Sequence, residues 1–165
     1  MATLKSVFKE GGLLTAGNSS QISDGAAAVV VASPAKAKAL GAKPRAKIVA
    51  VAATGVDPTI MLTGPISATQ NVLKRAGMKL SDIDLFECNE AFAPVVLAWQ
   101  KETGVDPARV NVNGGAVALG HPLGCSGARL VVTILHELEK RNLKTGLVTL
   151  CIGMGQGLAM ILQRV

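Results

Sequence analysis

Two glycine-rich segments hold the residues of this chain that are best suited to chemistry. His121 lies within 113–127, where five of fifteen residues are glycine, and Cys151 directly precedes 152–157, which holds three more glycines. Glycine has no Cβ, so backbone in these segments can approach a ligand closely. Pro122 fixes the backbone directly after the histidine. A base and a thiol beside free backbone N–H groups indicate acyl chemistry on a sulfur-linked substrate.

The two histidines of the chain call for different interpretations. A lone histidine is more often structural than functional, but His121 lies in a glycine-rich loop rather than on a helix face, which favours a role in a site. His136 falls on the polar face of a predicted helix, so we interpret it as a surface residue. Cys151 has two open interpretations. It is either a small buried apolar residue or a thiol beside N–H groups that bind an oxyanion.

Three other polar positions leave alternatives open. Asn89 joins a predicted strand to a predicted helix, where it either caps the helix or faces a ligand at the carboxyl edge of the sheet. Cys125 begins a helix, where the helix dipole lowers a thiol pKa, but packing is favoured there and at Cys88. Three cysteines form no disulfide framework, which favours free thiols in a reducing compartment.

Composition bounds the class of protein. The chain has 165 residues, of which 49% are apolar, 17% charged and 2% aromatic, with a net charge of +6. This size predicts one domain, with at most a small remnant of another, and the low charge favours an apolar face covered by a partner. No arginine-rich run, stacking motif or zinc spacing indicates nucleic-acid binding. No secretory signal or membrane-spanning run is evident, so a cytoplasmic location is expected, with mitochondria or peroxisomes as eukaryotic alternatives.

Hydrophobic patterns predict an α/β fold with helices packed on a mixed five-stranded sheet. The small apolar run 26–32 predicts a buried strand, and Pro34 begins a short helix that ends at Leu40, before Gly41. From residue 46 onward the predicted order is β-α-β-α-β-α-β-β, ending in an antiparallel hairpin. The five strands are expected at 47–53, 83–86, 109–112, 147–152 and 158–162. The three helices are expected at 65–75, 92–99 and 126–141.

Five short blocks carry a resemblance to a known family. They are TAGNSS (15–20), DGAAA (24–28), NEAF (89–92), GHP (120–122) and CIG (151–153). In their order and separations the chain closely resembles the C-terminal portion of thiolases, the acetyl-CoA acetyltransferases and 3-ketoacyl-CoA thiolases. The resemblance implies that residues 1–43 are the end of the N-terminal thiolase half, with a CoA-contacting loop, a strand and a helix. It implies that residues 44–165 are the C-terminal thiolase domain.

The resemblance also implies roles for individual residues. His121 would activate the nucleophilic thiol and polarise the thioester carbonyl. Asn89 would hold a water that completes the first oxyanion hole with this histidine. Cys151 would be the acid/base thiol, and the Gly153 amide would belong to the second oxyanion hole. The residues implied to contact CoA or line the acyl and pantetheine region are Ala16, Ser20, Met61, Ala91 and Phe92.

One departure from the family decides what is expected of the chain alone. The family's nucleophilic cysteine lies in the first half, and this chain has no cysteine before Cys88. The resemblance thus implies reversible CoA-dependent cleavage of 3-ketoacyl-CoA only in a complete enzyme, expected to be a homo-oligomer. CoA thioesters would be substrates, with no bound cofactor and no metal. The alternatives are a non-catalytic thiolase-like subunit that pairs with a separate N-terminal chain, and a Cys–His acyl hydrolase using Cys125. Met154 replaces a glycine of many members and predicts a tighter pocket.

Overall fold

A single mixed sheet organises the chain, which the computed structural model describes from residue 3 to residue 165. Its strands are β1 (Ala46–Gly55), β2 (Leu85–Cys88), β3 (Thr145–Ile152) and β4 (Gln156–Arg164). The strand order is β1-β4-β3-β2, with β2 and β3 parallel and the other two pairs antiparallel. The helices are α1 (Pro34–Ala39), α2 (Gly64–Ala76), α3 (Ala93–Thr103), α4 (Ala116–Leu119) and α5 (Ser126–Lys140). The predicted α/β class and the terminal hairpin are confirmed.

Helices cover both faces of the sheet because side chains along each strand alternate between them. On one face, Phe86 and Cys88 of β2 pack with α2 and α3 around the fully buried Trp99. The indole N–H of Trp99 donates to the Thr69 hydroxyl at 2.9 Å, so its one polar atom is satisfied inside the core. On the other face, Leu85 packs against the apolar side of α5. Both β2 faces are therefore buried.

Two glycines let α2 begin directly on the hairpin of β3 and β4. A Cβ on Gly64 would lie 2.8 Å from the Gln156 carbonyl oxygen, and one on Gly157 would lie 2.5 Å from the Gly64 carbonyl oxygen. Both contacts are with backbone, which has little room to move away. Pro65 follows in the first turn, and Gly77 ends the helix with φ +64°. The contact of Gly64 with Gly157 fixes the start of α2 over the hairpin.

The predicted strand at 109–112 is wrong, which leaves four strands in the sheet. Only Val110 forms a bridge, a single parallel one with Phe86. Asn111 has φ +47°, which turns the backbone away from strand geometry. The side-chain amide of Asn111 bonds to the backbone of Cys88 in place of a strand. Cys88 N–H donates to Asn111 Oδ1 at 2.9 Å, and Asn111 Nδ2 donates to the Cys88 carbonyl at 2.8 Å.

The predicted buried strand at 26–32 is also wrong. These residues lie in no helix or strand, and Val30 and Val31 are 96% and 70% exposed. A strand needs a neighbouring edge for its N–H and C=O groups, and none of the four strands pairs with this run. Its composition predicts burial, but nothing within the described residues 3–165 buries Val30 or Val31.

We predict that Gly157→Ala lowers the free energy of unfolding by about 1–3 kcal/mol, the usual penalty of overpacking. The added methyl would meet the Gly64 carbonyl oxygen at 2.5 Å. Gly127→Ala is the matched control, because Gly127 lies in α5 with nothing within 4 Å of its added Cβ. This control should raise the unfolding free energy by up to about 1 kcal/mol. Urea denaturation followed by circular dichroism measures both, and equal effects would contradict the proposed contact.

Candidate active site

The candidate site lies at the edge where the parallel strands β2 and β3 end. In the register of this pair, Cys88 lies opposite Thr149, and the Asn89 N–H continues the ladder by donating to the Thr149 carbonyl at 2.9 Å. Cys151 follows two residues later in β3. Asn89 and Cys151 thus share the carboxyl edge, where open α/β sheets place their ligands.

Asn89 contacts His121 rather than a helix end. Its Nδ2 lies 3.2 Å from Nε2 of His121, and its side chain is fully buried. The helix that follows is capped at Phe92, so the alternative that Asn89 caps it is wrong. Within residues 3–165, Asn89 Oδ1 is buried without a hydrogen-bond partner. A buried amide oxygen in this state is unusual and calls for a reason.

The His121 ring is held at both nitrogens. Nδ1 lies 2.6 Å from the Ser126 hydroxyl, which is also 3.0 Å from the Pro122 carbonyl oxygen. Burial lowers the pKa of His121, and the positive charge of Arg129 lowers it further. Both effects favour a neutral imidazole near pH 7, which is the form that accepts a proton.

The loop that carries His121 is fixed by the residue after Asn89. The Glu90 carboxylate accepts from the Val117 N–H at 3.0 Å, in the first turn of α4. A Cβ on Gly115 would displace that carboxylate and would also lie 2.9 Å from the Glu90 Cβ, so glycine at this position preserves the bond. The helix ends at Gly120, whose φ of +91° suits glycine and directs the chain into His121. Asn89 and Glu90 thus hold two parts of one loop.

The N-terminal segment crosses the same edge. Ser20 N–H donates to the Ala91 carbonyl at 3.0 Å, and Ser19 forms a single antiparallel bridge with Phe92. The backbone carbonyl of Gln21, the residue after Ser20, accepts from the backbone N–H of His121 at 3.2 Å. The predicted residues Ser20, Ala91 and Phe92 are therefore brought beside His121. Ala16 is exposed and lies at the start of a short 3-10 turn, Ala16–Asn18.

The remaining predicted residues lie where β3 turns into β4. Cys151 is half-buried, and this burial raises the pKa of its thiol. Gly153 is exposed and begins the turn Gly153–Gly155, in which Met154 is 80% exposed at φ +69°. That turn contacts the 3-10 segment Pro58–Thr63, which carries Met61. Cys151, Gly153 and Met61 thus form a second group on the same end of the sheet.

The other cysteines and the second histidine lie outside these groups of contacts. Cys88 is fully buried in the core, where burial raises the pKa of its thiol, and Cys125 is buried at the start of α5. Packing, as predicted, describes both. His136 is exposed on α5, where Nδ1 lies 3.0 Å from the Val132 carbonyl oxygen. Among residues 3–165, no group of histidine, cysteine and acidic side chains could hold a metal ion.

A buried ion pair beneath the site was missed by the sequence prediction. Glu87 is 2% exposed, and its carboxylate lies 3.4 Å from Nη1 of Arg129 on α5. Burial raises the pKa of Glu87 to about 7, although Arg129 opposes the shift. The sequence held one signal, a glutamate inside a short apolar strand two residues before Asn89. Ser126 was missed as well; its signal was a hydroxyl five residues after His121.

We predict that Glu87 makes the stability of the chain depend on pH between about 4.5 and 7. The folded pKa of about 7 lies above the ordinary value of 4.5, so the folded state favours the protonated carboxyl. The stability that Glu87 contributes is complete below pH 4.5 and is lost as pH rises through 7. The unfolding free energy of the parent minus that of Glu87→Gln should fall by about 3 kcal/mol across this window.

Urea denaturation at a series of pH values measures this difference. Glu102→Gln is the matched control because Glu102 is exposed on α3. Its pH profile should run parallel to that of the parent. A Glu87→Gln profile that also runs parallel to the parent would contradict the assignment of a raised pKa to this carboxyl.

Comparisons with family models agree with the resemblance. Residues 42–164 match the model described as "Thiolase, C-terminal domain", and residues 1–35 match "Thiolase, N-terminal domain". The acetyl-CoA acetyltransferase of Pseudomonas aeruginosa is 57% identical over 99% of this chain. The chain spans 42% of the length of that relative.

Solved structures give the same result. The chain is similar to the crystal structure of the Bacillus anthracis acetyl-CoA acetyltransferase, with a TM-score of 0.96 and 46% identity over 99% of the chain. It is also similar to human mitochondrial 3-ketoacyl-CoA thiolase in complex with CoA, with a TM-score of 0.92 and 43% identity over 99% of the chain. The chain covers 42% of each of these solved chains. None of the helices within residues 3–165 has the length and apolar character needed to cross a membrane.

Proposed function

Because this chain belongs to the thiolase family, we propose that it supplies the C-terminal part of an acyltransferase that reversibly cleaves 3-ketoacyl-CoA. The products are acetyl-CoA and an acyl-CoA shortened by two carbons, and CoA is the second substrate. The observation that carries the proposal is the contact of Asn89 with His121 at 3.2 Å, both at the carboxyl edge of β2 and β3. Residues 1–43 serve as the end of the N-terminal half, and residues 44–165 as the C-terminal domain.

His121 is the base of the first half-reaction. A neutral imidazole takes the proton of the nucleophilic thiol, which the N-terminal half of the enzyme provides, and the thiolate attacks the keto carbonyl. The lowered pKa of His121 supports this role because it keeps the ring unprotonated near pH 7. Asn89 assists by holding a water beside the ring, and its buried Oδ1 is an atom free to accept from that water.

Cys151 exchanges a proton with the substrate carbon. In cleavage its thiol protonates the carbon of the leaving acetyl-CoA enolate, and in condensation its thiolate removes a proton from acetyl-CoA. The raised pKa of this thiol supports the acid role because it favours the protonated form before cleavage. The Gly153 N–H stabilises the thioester oxyanion, and its exposed position beyond the end of β3 leaves it accessible to a substrate.

The substrate class follows from the residues around these groups. Ala16 and Ser20 contact CoA, while Met61, Ala91 and Phe92 line the acyl and pantetheine region. The hydrogen bond of Ser20 to Ala91 supports their placement in one site. The working assembly pairs this chain with an N-terminal thiolase half, forms a homo-oligomer and acts in the cytoplasm. The exposed run at 26–32 is the surface that the N-terminal half covers.

We predict that activity appears only when the missing half is supplied. The chain is co-expressed with the portion of the Pseudomonas aeruginosa acetyl-CoA acetyltransferase that it does not span. Thiolysis of acetoacetyl-CoA is then followed by loss of the enolate absorbance after CoA is added. The chain alone should stay below about one turnover per second, and the assembled pair should exceed it.

His121→Ala in the assembled pair should lower the rate of acyl-enzyme formation by about a hundredfold to ten-thousandfold.

His136→Ala is the matched control, because His136 is exposed on α5 away from the site contacts. This variant should keep the parent rate. An assembled pair that binds but does not turn over would favour the non-catalytic subunit. Thiolysis by the chain alone at the rate of the pair would contradict the need for a separate nucleophile.

We predict that Cys151→Ser in the assembled pair separates the two chemical steps. Acetyl transfer onto the enzyme should persist, because His121 and the nucleophile are unchanged. Exchange of the acetyl-CoA methyl protons with deuterated water should fall by about a hundredfold or more, since a serine hydroxyl is a much weaker acid than a thiol. Mass spectrometry of the acetyl-enzyme and NMR of the methyl protons measure the two steps.

The matched control is Cys125→Ala, which removes a buried thiol outside the proposed site. It should leave methyl proton exchange at the parent rate. Unchanged exchange in Cys151→Ser would assign proton transfer to another residue. Thioester hydrolysis that needs no CoA and disappears in Cys125→Ala would favour the acyl hydrolase instead.

A further inference from the structure

We propose that Ser126 is a positioning residue that holds His121 in the tautomer protonated at Nδ1, with the lone pair of Nε2 facing Asn89. The hydroxyl of Ser126 lies 2.6 Å from Nδ1 and 3.0 Å from the Pro122 carbonyl oxygen. This inference deepens the proposed function and rests on it for its catalytic consequence. The tautomer itself is a property of this chain and can be tested without any activity.

The donor and acceptor capacities of the neighbours determine where the ring proton lies. A carbonyl oxygen only accepts, so the contact with Pro122 uses the single proton of the Ser126 hydroxyl. Toward His121 that hydroxyl can then only accept, and Nδ1 must carry a proton. Nothing in this step depends on the other end of the ring.

The other end of the ring gives the same answer independently. The Nδ2 group of Asn89 only donates, so Nε2 of His121, 3.2 Å away, must accept with its lone pair. A neutral imidazole has one N–H and one lone pair, and both contacts assign them to the same atoms. Asn89, directly after β2, and Ser126, at the start of α5, thus select one tautomer.

Burial and backbone contacts make this selection rigid. Ser126 is 1% exposed and Asn89 is fully buried, so neither side chain is open to solvent. Both the N–H and the hydroxyl of Ser126 bond to the Pro122 carbonyl, at 2.9 Å and 3.0 Å. These two bonds tie the start of α5 to the residue that follows His121. The ring therefore has a fixed orientation relative to the helix.

The consequence for the proposed reaction is a base whose tautomer is already the one that accepts the proton of the nucleophilic thiol. Nε2 takes the proton with its lone pair, and the hydrogen bond from Nδ1–H to Ser126 is kept when the imidazolium forms. No hydrogen bond on the Nδ1 side has to reorganise during the transfer. Preorganised partners of this kind lower the barrier because no free energy is spent on rearranging them.

The test is the protonation state of each ring nitrogen, read by NMR on the 165-residue chain labelled with ¹⁵N-histidine. The chain has two histidines, so the spectrum holds two sets of ring signals, and His136 is an internal reference. At pH 8, where a free imidazole is neutral, we expect His121 to be protonated at Nδ1. Ser126→Ala should shift the tautomer equilibrium of His121 part of the way toward the Nε2–H form, because Nδ1 loses its acceptor while Asn89 still donates to Nε2. Ser126→Thr, which keeps the hydroxyl, should retain the parent tautomer.

Two outcomes would overturn the proposal. A parent chain with His121 protonated at Nε2 would do so without any variant, even if Ser126→Ala failed to fold. A folded Ser126→Ala chain whose His121 signals match those of the parent would do so as well. The signals of His136 should stay the same in all three chains.

A kinetic readout separates this inference from the proposed function. In the assembled pair, Ser126→Ala should lower kcat by about tenfold or more, the scale on which loss of an orienting partner acts, and Ser126→Thr should restore it. Parent-like kcat in Ser126→Ala would contradict the positioning role. An inactive parent pair would contradict the proposed function instead, while the NMR result would still decide for or against Ser126.

Discussion

The parallel pairing of β2 with β3 is the constraint on which the rest of the site depends. β2 has only four residues, and within residues 3–165 β3 is the one strand beside it in the sheet. Its other edge is completed by the side-chain amide of Asn111, which exchanges two hydrogen bonds with the backbone of Cys88. This pairing sets the height at which Asn89 leaves the sheet beside Thr149. Because Asn89 contacts His121 at 3.2 Å, the pairing also determines where the imidazole finds its buried partner.

A buried charge lies directly under this arrangement. Glu87 points to the same face of β2 as Leu85, toward α5. There the positive charge of Arg129 offsets part of the free energy cost of burying the carboxylate. Arg129 also lowers the pKa of His121. Ser126 lies three residues earlier on the same helix and bonds to His121 directly. The helix α5 thus acts on the histidine in two ways, through a hydrogen bond and through a charge.

Local signals predicted most of the fold, and nonlocal ones account for the errors. The apolar stripe of α5 lies within that helix, and Pro65 and Gly77 mark the two ends of α2 in its own sequence. The bounds of both helices could therefore be predicted. The strand at 109–112 failed because the φ of Asn111 and its bonds to β2 depend on a residue 23 positions away. The run at 26–32 has strand composition, but none of the four strands described within residues 3–165 pairs with it. Among the predicted site residues, placement beside His121 could be inferred only through the family resemblance.

Exposure divides the site residues into two groups with different physical requirements. Asn89 and Ser126 are buried, and both contact the ring of His121, so the proposed base is held by contacts within this chain. Ala16 and Gly153 are exposed. Hydrogen bonds to a base gain strength from exclusion of water, whereas a ligand-binding surface must stay open until the ligand arrives. In the proposed function, a chain that spans 42% of the length of its relatives would preorganise the base and still depend on the other half for a closed substrate pocket.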